Sequence, residues 1–211
     1  VSCVNNYSIG GNVSGLSGTV ILRNNGGDDL SVSTIGAFTF STLLASGSSY
    51  NVTVFTQPTG QSCTVTSGSG TATANVTSVS VGCTTNQYSI GGSVSGLNGS
   101  VTLQNNGVDD LVRSVNGGFT FATTIAHGSP YSVAVSVQPT GQTCSVGSGS
   151  GTATATVSNV SVTCITNSYS IGGNISGLSG SVTLQNNGGD NLLVSTNGSF
   201  TFATNITHGS P

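Results

Sequence analysis

Apolar and polar residues alternate along most of this chain, and the alternation predicts β-strands throughout. Ile9, Gly11 and Val13 fall on one face with Asn12 on the other, Val20 and Leu22 flank Ile21, and Phe38 and Phe40 flank Thr39. Tyr50, Val52 and Val54 are spaced in the same way by Asn51 and Thr53. A period of two sends successive side chains to opposite faces of a strand, so the pattern calls for one buried face and one wet face. Asn24-Asn-Gly-Gly-Asp-Asp29 carries the Asn-Gly chemistry of a tight hairpin turn, and Pro58 ends the strand begun at Tyr50. Leu30 to Thr34 alternates poorly and reads as an edge strand. Near Thr77-Ser78 the apolar phase slips by one residue, from Ala72, Ala74 and Val76 to Val79, Val81 and Cys83, which predicts a bulge.

The pattern returns. Tyr7-Ser-Ile-Gly-Gly11 recurs as Tyr88 to Gly92 and as Tyr169 to Gly173, a period of 81 residues. Residues 1–6 read as the tail of a preceding copy, 7–87 and 88–168 as two complete copies, and 169–211 as the first half of a third. The copies act as an internal alignment of the strand register. Val13 becomes Val94 and Ile175, and Leu22 becomes Leu103 and Leu184, whereas Ile21 on the alternate face becomes Thr102 and Thr183. The apolar set therefore marks the core. Six or seven short strands in about eighty residues, joined by Gly and Asn turns, predict an all-β chain of tandem antiparallel β-sandwich modules. A half sandwich leaves strand edges unpaired, so the third copy is expected to be completed by further polypeptide or by strands from a neighbouring subunit.

Composition narrows the function classes. Charged residues make up 3% of the chain, against about 25% in an ordinary soluble domain, and there is no Lys, Glu, Met or Trp. The ionic inventory is Arg23, Arg113, Asp28, Asp29, Asp109, Asp110 and Asp190, with His127 and His208. Such a surface offers no basic footprint for nucleic acid, and no stretch nears the roughly 18 to 20 apolar residues of a membrane span, so neither partner is expected. No cofactor signature is present.

The order Ile-x-Gly-x-Val-x-Gly-Leu-x-Gly-x-Val-x-Leu, then Gly-x-Phe-x-Phe, then Tyr-x-Val-x-Val resembles the prealbumin-like and Ig-like sandwich modules of large secreted bacterial surface proteins, similar to the Cna-B family. The resemblance implies a structural or adhesive surface role. Cna-B modules are often locked by a Lys to Asn isopeptide bond; this chain has no Lys, so a covalent lock here is expected to be a disulfide.

Five cysteines are present. Cys63 maps onto Cys144 and Cys83 onto Cys164, so each complete copy holds one pair, and Cys3 belongs with the preceding tail. Pairing Cys63 with Cys83 and Cys144 with Cys164 is favoured; the alternative joins Cys3 to Cys63 and Cys83 to Cys144. Paired cysteines recurring once per copy indicate an extracellular or cell-surface location. Any targeting segment is expected to have been removed or to lie outside the sequence given. The absence of a C-x-x-C and of imidazoles that recur with the cysteines argues against a metal or redox role.

Asp28, Asp29, Asp109, Asp110 and Asp190 gather after Asn-Asn in each copy and are candidate calcium ligands. A hairpin turn closed by Asx hydrogen bonds accounts for them better. His127 and His208 sit in matching His-Gly-Ser-Pro phrases and read as loop histidines. Asn-x-Ser/Thr sequons, including Asn12, Asn51, Asn75 and Asn159, are candidate glycosylation positions. The expectation is a structural segment of an extracellular filament or surface stalk whose partners are further copies of itself. An adhesin-type module recognising carbohydrate or another cell surface is the alternative, and an enzyme is not expected because nucleophile, base and acid nowhere come together.

Overall fold

The computed structural model describes residues 5–211. All of its regular structure is strand. The first copy supplies β1 (Asn6–Tyr7), β2 (Ile9–Ser14), β3 (Val20–Asn24), β4 (Asp28–Val32), β5 (Gly36–Thr39), β6 (Leu44–Ala45), β7 (Ser49–Thr56), β8 (Gln61–Thr66), β9 (Ser69–Thr71) and β10 (Val76–Thr85). The same order then returns as β11 (Gln87–Tyr88), β12 (Ile90–Ser95), β13 (Val101–Asn105), β14 (Asp109–Arg113), β15 (Gly117–Thr120), β16 (Ile125–Ala126), β17 (Pro130–Val137), β18 (Gln142–Gly147), β19 (Ser150–Thr152) and β20 (Val157–Thr166). The remainder holds β21 (Ser168–Tyr169), β22 (Gly172–Ile175), β23 (Val182–Asn186), β24 (Asp190–Val194), β25 (Gly198–Thr201) and β26 (Ile206–Thr207).

Two compact units result. Unit 1 extends to Tyr88 and takes in Thr124–Ser129 and Thr152–Ala155; unit 2 comprises Ser89–Thr123, Pro130–Gly151 and Thr156–Pro211.

Unit 1 is built on two four-stranded sheets, ordered β5-β2-β10-β8 and β4-β3-β7-β9. Their inner faces close on one core. Ile9, Val13, Phe38 and Val81 come from the first sheet, Val20, Leu22, Tyr50 and Val52 from the second, and Phe40 follows β5. Phe40 is 2% exposed and meets Phe38 edge to face, with ring centroids 6.0 Å apart. Val54, read from sequence as core, is only partly buried, two residues from the end of its strand. The hairpin is present: Asn24 pairs with Asp28, and Asn25 and Gly26 take the left-handed backbone (φ 49° and 76°) that a tight turn between twisted strands requires. β4 is an edge strand, and β10 shifts register between Val76 and Val79.

One expectation is corrected. An all-antiparallel arrangement was predicted, but β2 runs parallel to β10, with Val13 beside Val81, while β8 and β5 pair antiparallel on either side. Alternation sets which face of a strand is buried and carries no information about the direction of its neighbour.

Unit 2 repeats the arrangement as β15-β12-β20-β18 and β14-β13-β17-β19, again with a parallel pair, β12 and β20. It also contains β21 to β26, joined as three two-stranded pairs. There Ile175, Val182 and Leu184 are half-buried, whereas their counterparts Val13, Val20 and Leu22 in unit 1 are fully buried. The difference follows from strand partners: Val13 lies between β5 and β10, while β22 pairs with β25 alone among the described residues.

Candidate functional site

The cysteines occupy the sheet that carries the parallel pair. Cys63 on β8 stands directly opposite Cys83 on β10, and Cys144 on β18 opposite Cys164 on β20; both pairs are disulfide-bonded. All four are buried. Cys3 lies outside the described residues. Each bond spans 20 residues of chain, for which the chain-entropy model gives about 3 kcal/mol. Disulfides of this kind belong to a non-reducing environment.

Glutamines hold the cysteine strand from both sides. Gln57 accepts a hydrogen bond from Cys63 N at 2.6 Å and donates one to Cys63 O at 3.0 Å, and Gln138 does the same for Cys144 at 2.7 and 3.0 Å. The buried Gln61 accepts from Ser17 N at 2.6 Å and donates to Gly15 O at 2.9 Å, tying β8 to the turn after β2. Gln142 repeats these bonds to Asn98 N and Gly96 O. A buried amide with unmet partners costs about 1 to 3 kcal/mol, so the buried Gln61 and Gln142 are held by their bonds. Their sequence signal was the phrase Gln-Pro-Thr-Gly-Gln, unchanged between Gln57–Gln61 and Gln138–Gln142.

The carboxylates lie in the hairpins. Asp29 forms a two-point ion pair with Arg23, at 2.5 and 2.8 Å, and the guanidinium lies 3.2 Å from the centroid of the exposed Phe55 ring. The hydrogen bond from Arg23 pulls the Asp29 carboxyl below its ordinary range, and Asp29 in turn raises Arg23. Asp110 accepts from Gln104 at 2.6 Å, and Asp109 and Asp190 accept from the backbone N–H of Thr123 and Thr204. Asp28 keeps one buried oxygen without a hydrogen-bond partner among the described residues. No group of three or more His, Cys, Asp or Glu that could hold a metal ion forms among the described residues. The sequon residues Asn12, Asn51, Asn75 and Asn159 are all exposed, and Asn75 engages Ser8 N through its side-chain oxygen.

No protein-family model and no curated protein matches the chain.

The histidines have a defined seat. In unit 1 the ribbon formed by β11 and β16 is pinned to the turn before β8: Asn86 N donates to Gly60 O at 2.9 Å and His127 N donates to Asn86 O at 2.8 Å. The His127 ring lies against Gly60, with the Tyr88 ring at 5.9 Å edge to face. Unit 2 contains the same seat. The ribbon of β21 and β26 is pinned by Asn167 N to Gly141 O and His208 N to Asn167 O, and His208 covers Gly141 beside Tyr169. These histidines pack against backbone and aromatic ring, which is a positioning use of the imidazole.

Proposed function

We propose that this chain is a structural repeat segment of an extracellular filament or surface stalk, built from tandem Ig-like or prealbumin-like β-sandwich modules on an 81-residue period. The observation that carries this reading is the seated ribbon. β11 straddles the boundary between the first and second copies and β16 belongs to the second, yet both fold into unit 1; β21 straddles the next boundary and β26 belongs to the third copy, yet their ribbon is pinned on Gly141 of the second. Each copy thus contributes an element to the fold of the copy before it. In such arrays stability is a sum of module terms and nearest-neighbour terms, which suits a scaffold that must extend.

The disulfides support secretion, and the nearly uncharged surface leaves little like-charge repulsion between neighbouring chains. The partner is then further copies of the same repeat. Carboxylates engaged in hairpins and imidazoles engaged in seats fit a scaffold better than a reacting centre.

Immunogold electron microscopy of intact source cells tests the proposal. Label is expected on extracellular fibres with an axial repeat of roughly 30 to 45 Å, as strands of six to ten residues give. Label confined to the cytoplasm contradicts it.

A further inference from the structure

Arg113 stands where the other copies place valine. Val32 on β4 is buried in the core at 8% exposure and pairs with Val20; Arg113 holds the same position on β14, paired with Val101, and the third copy has Val194. The substitution puts a cation at a core position. The Nε of Arg113 is buried and has no hydrogen-bond partner among the described residues. The other arginine shows what this side chain takes when a carboxylate is in reach, since Arg23 binds Asp29 through two bonds.

Beside Arg113 lies a cleft of about 450 Å³ in unit 2, whose lining includes Ser89, Gly118, Thr120, Thr156 and Ser158. No carboxylate lines it. Four differences from the first copy converge on this cleft: Arg113 for Val32, Gly118 for Ala37, Thr156 for Asn75 and Ser158 for Thr77. The second removes a side chain from the wall. The third removes the amide oxygen that accepts from Ser8 N in unit 1, so the matching N–H of Ser89 lacks that acceptor. The second copy has thus gained a cation and space at the place where it has lost the Asn75 acceptor.

We propose that this cleft binds the oxyanion of an acidic sugar, carboxylate or sulfate, with Arg113 as its anchor. A guanidinium presents a planar fork of donors that matches either group, and a ligand oxygen would satisfy the buried Nε. The surrounding hydroxyls suit the neutral part of a sugar. This binding activity goes beyond the structural role and does not depend on it.

The test uses the full chain and its Arg113→Val variant, which keeps the residue found at Val32 and Val194 and should fold. Glucuronate, glucose 6-sulfate, inorganic sulfate and glucose are titrated while amide NMR signals and the thermal midpoint are followed. Glucuronate or glucose 6-sulfate is expected to move the Ser89 and Gly118 amide signals and raise the midpoint of the wild-type chain. Whichever of the two binds tighter identifies the source of the oxyanion. In Arg113→Val the binding should weaken about tenfold or more, the loss of one charge-assisted contact. Glucose should do nothing. The proposal is overturned if neither sugar anion binds, if inorganic sulfate alone does, or if Arg113→Val binds as well as wild type.

Discussion

The imidazole of His127 occupies the space that a side chain at residue 60 would need. A Cβ built on Gly60 falls 2.1 Å from His127 Cδ2, and the backbone there has φ of 72°, which a residue with a side chain adopts at a cost. Gly60→Ala should therefore unseat the ribbon of β11 and β16. Hydrogen exchange at His127 N should accelerate, because its bond to Asn86 O depends on the seat. His127→Ser, which copies Ser46 of the first repeat, should restore slow exchange in the Gly60→Ala background. Both proteins carry the same backbone strain, so rescue isolates the ring contact. A double variant as fast as Gly60→Ala alone would contradict the seat.

Phe40 and its counterpart Phe121 are 2% and 3% exposed, and each meets a second ring edge to face. Replacing either with Ala should cost about 3 to 5 kcal/mol, as truncation of a large buried aromatic does. Denaturant unfolding measures the loss. Phe55→Ala is the control: Phe55 is 53% exposed, and its contact with Arg23 is worth about 0.5 to 1 kcal/mol at such a site.

Much of this fold was legible in the chain, for a physical reason. Where one face of a strand is buried and the other wet, selection between apolar and polar types writes the register into alternate positions, as at Ile9 and Val13 or Tyr50 and Val52. The hairpin at Asn24 to Asp28 was legible because left-handed backbone demands Asn and Gly. The parallel pairing of β2 with β10 was not, since neighbour direction leaves no mark on alternation. β9, the exposed Ser69-Gly70-Thr71, has no apolar residue to announce it. The seats at Gly60 and Gly141 join residues 67 apart, and nothing local marks such a contact. The replacement of Val32 by Arg113 is visible once the copies are aligned, but the orphaned Nε and the cleft needed three dimensions.

The Arg23–Asp29 pair predicts a pH response. Asp29 is held below its ordinary range by the Arg23 hydrogen bond, so the pair's stabilising contribution is present above the ordinary Asp range, about 3.9, and is lost as pH falls through the lowered value. Both side chains are solvent-accessible, which keeps the contribution small. Carboxyl NMR titration should show Asp29 moving upward in Arg23→Gln. An unchanged Asp29 titration would mean that the ion pair does not form in solution.

The central claim, a disulfide-stapled repeat of an oxidising compartment, is tested most directly by peptide mapping without reduction. Protein taken from its native source is alkylated at once and digested. The account predicts peptides linked through Cys63 to Cys83 and through Cys144 to Cys164, with no alkylated thiol at those four positions. Four alkylated cysteines would contradict both the staple and the extracellular reading built on it.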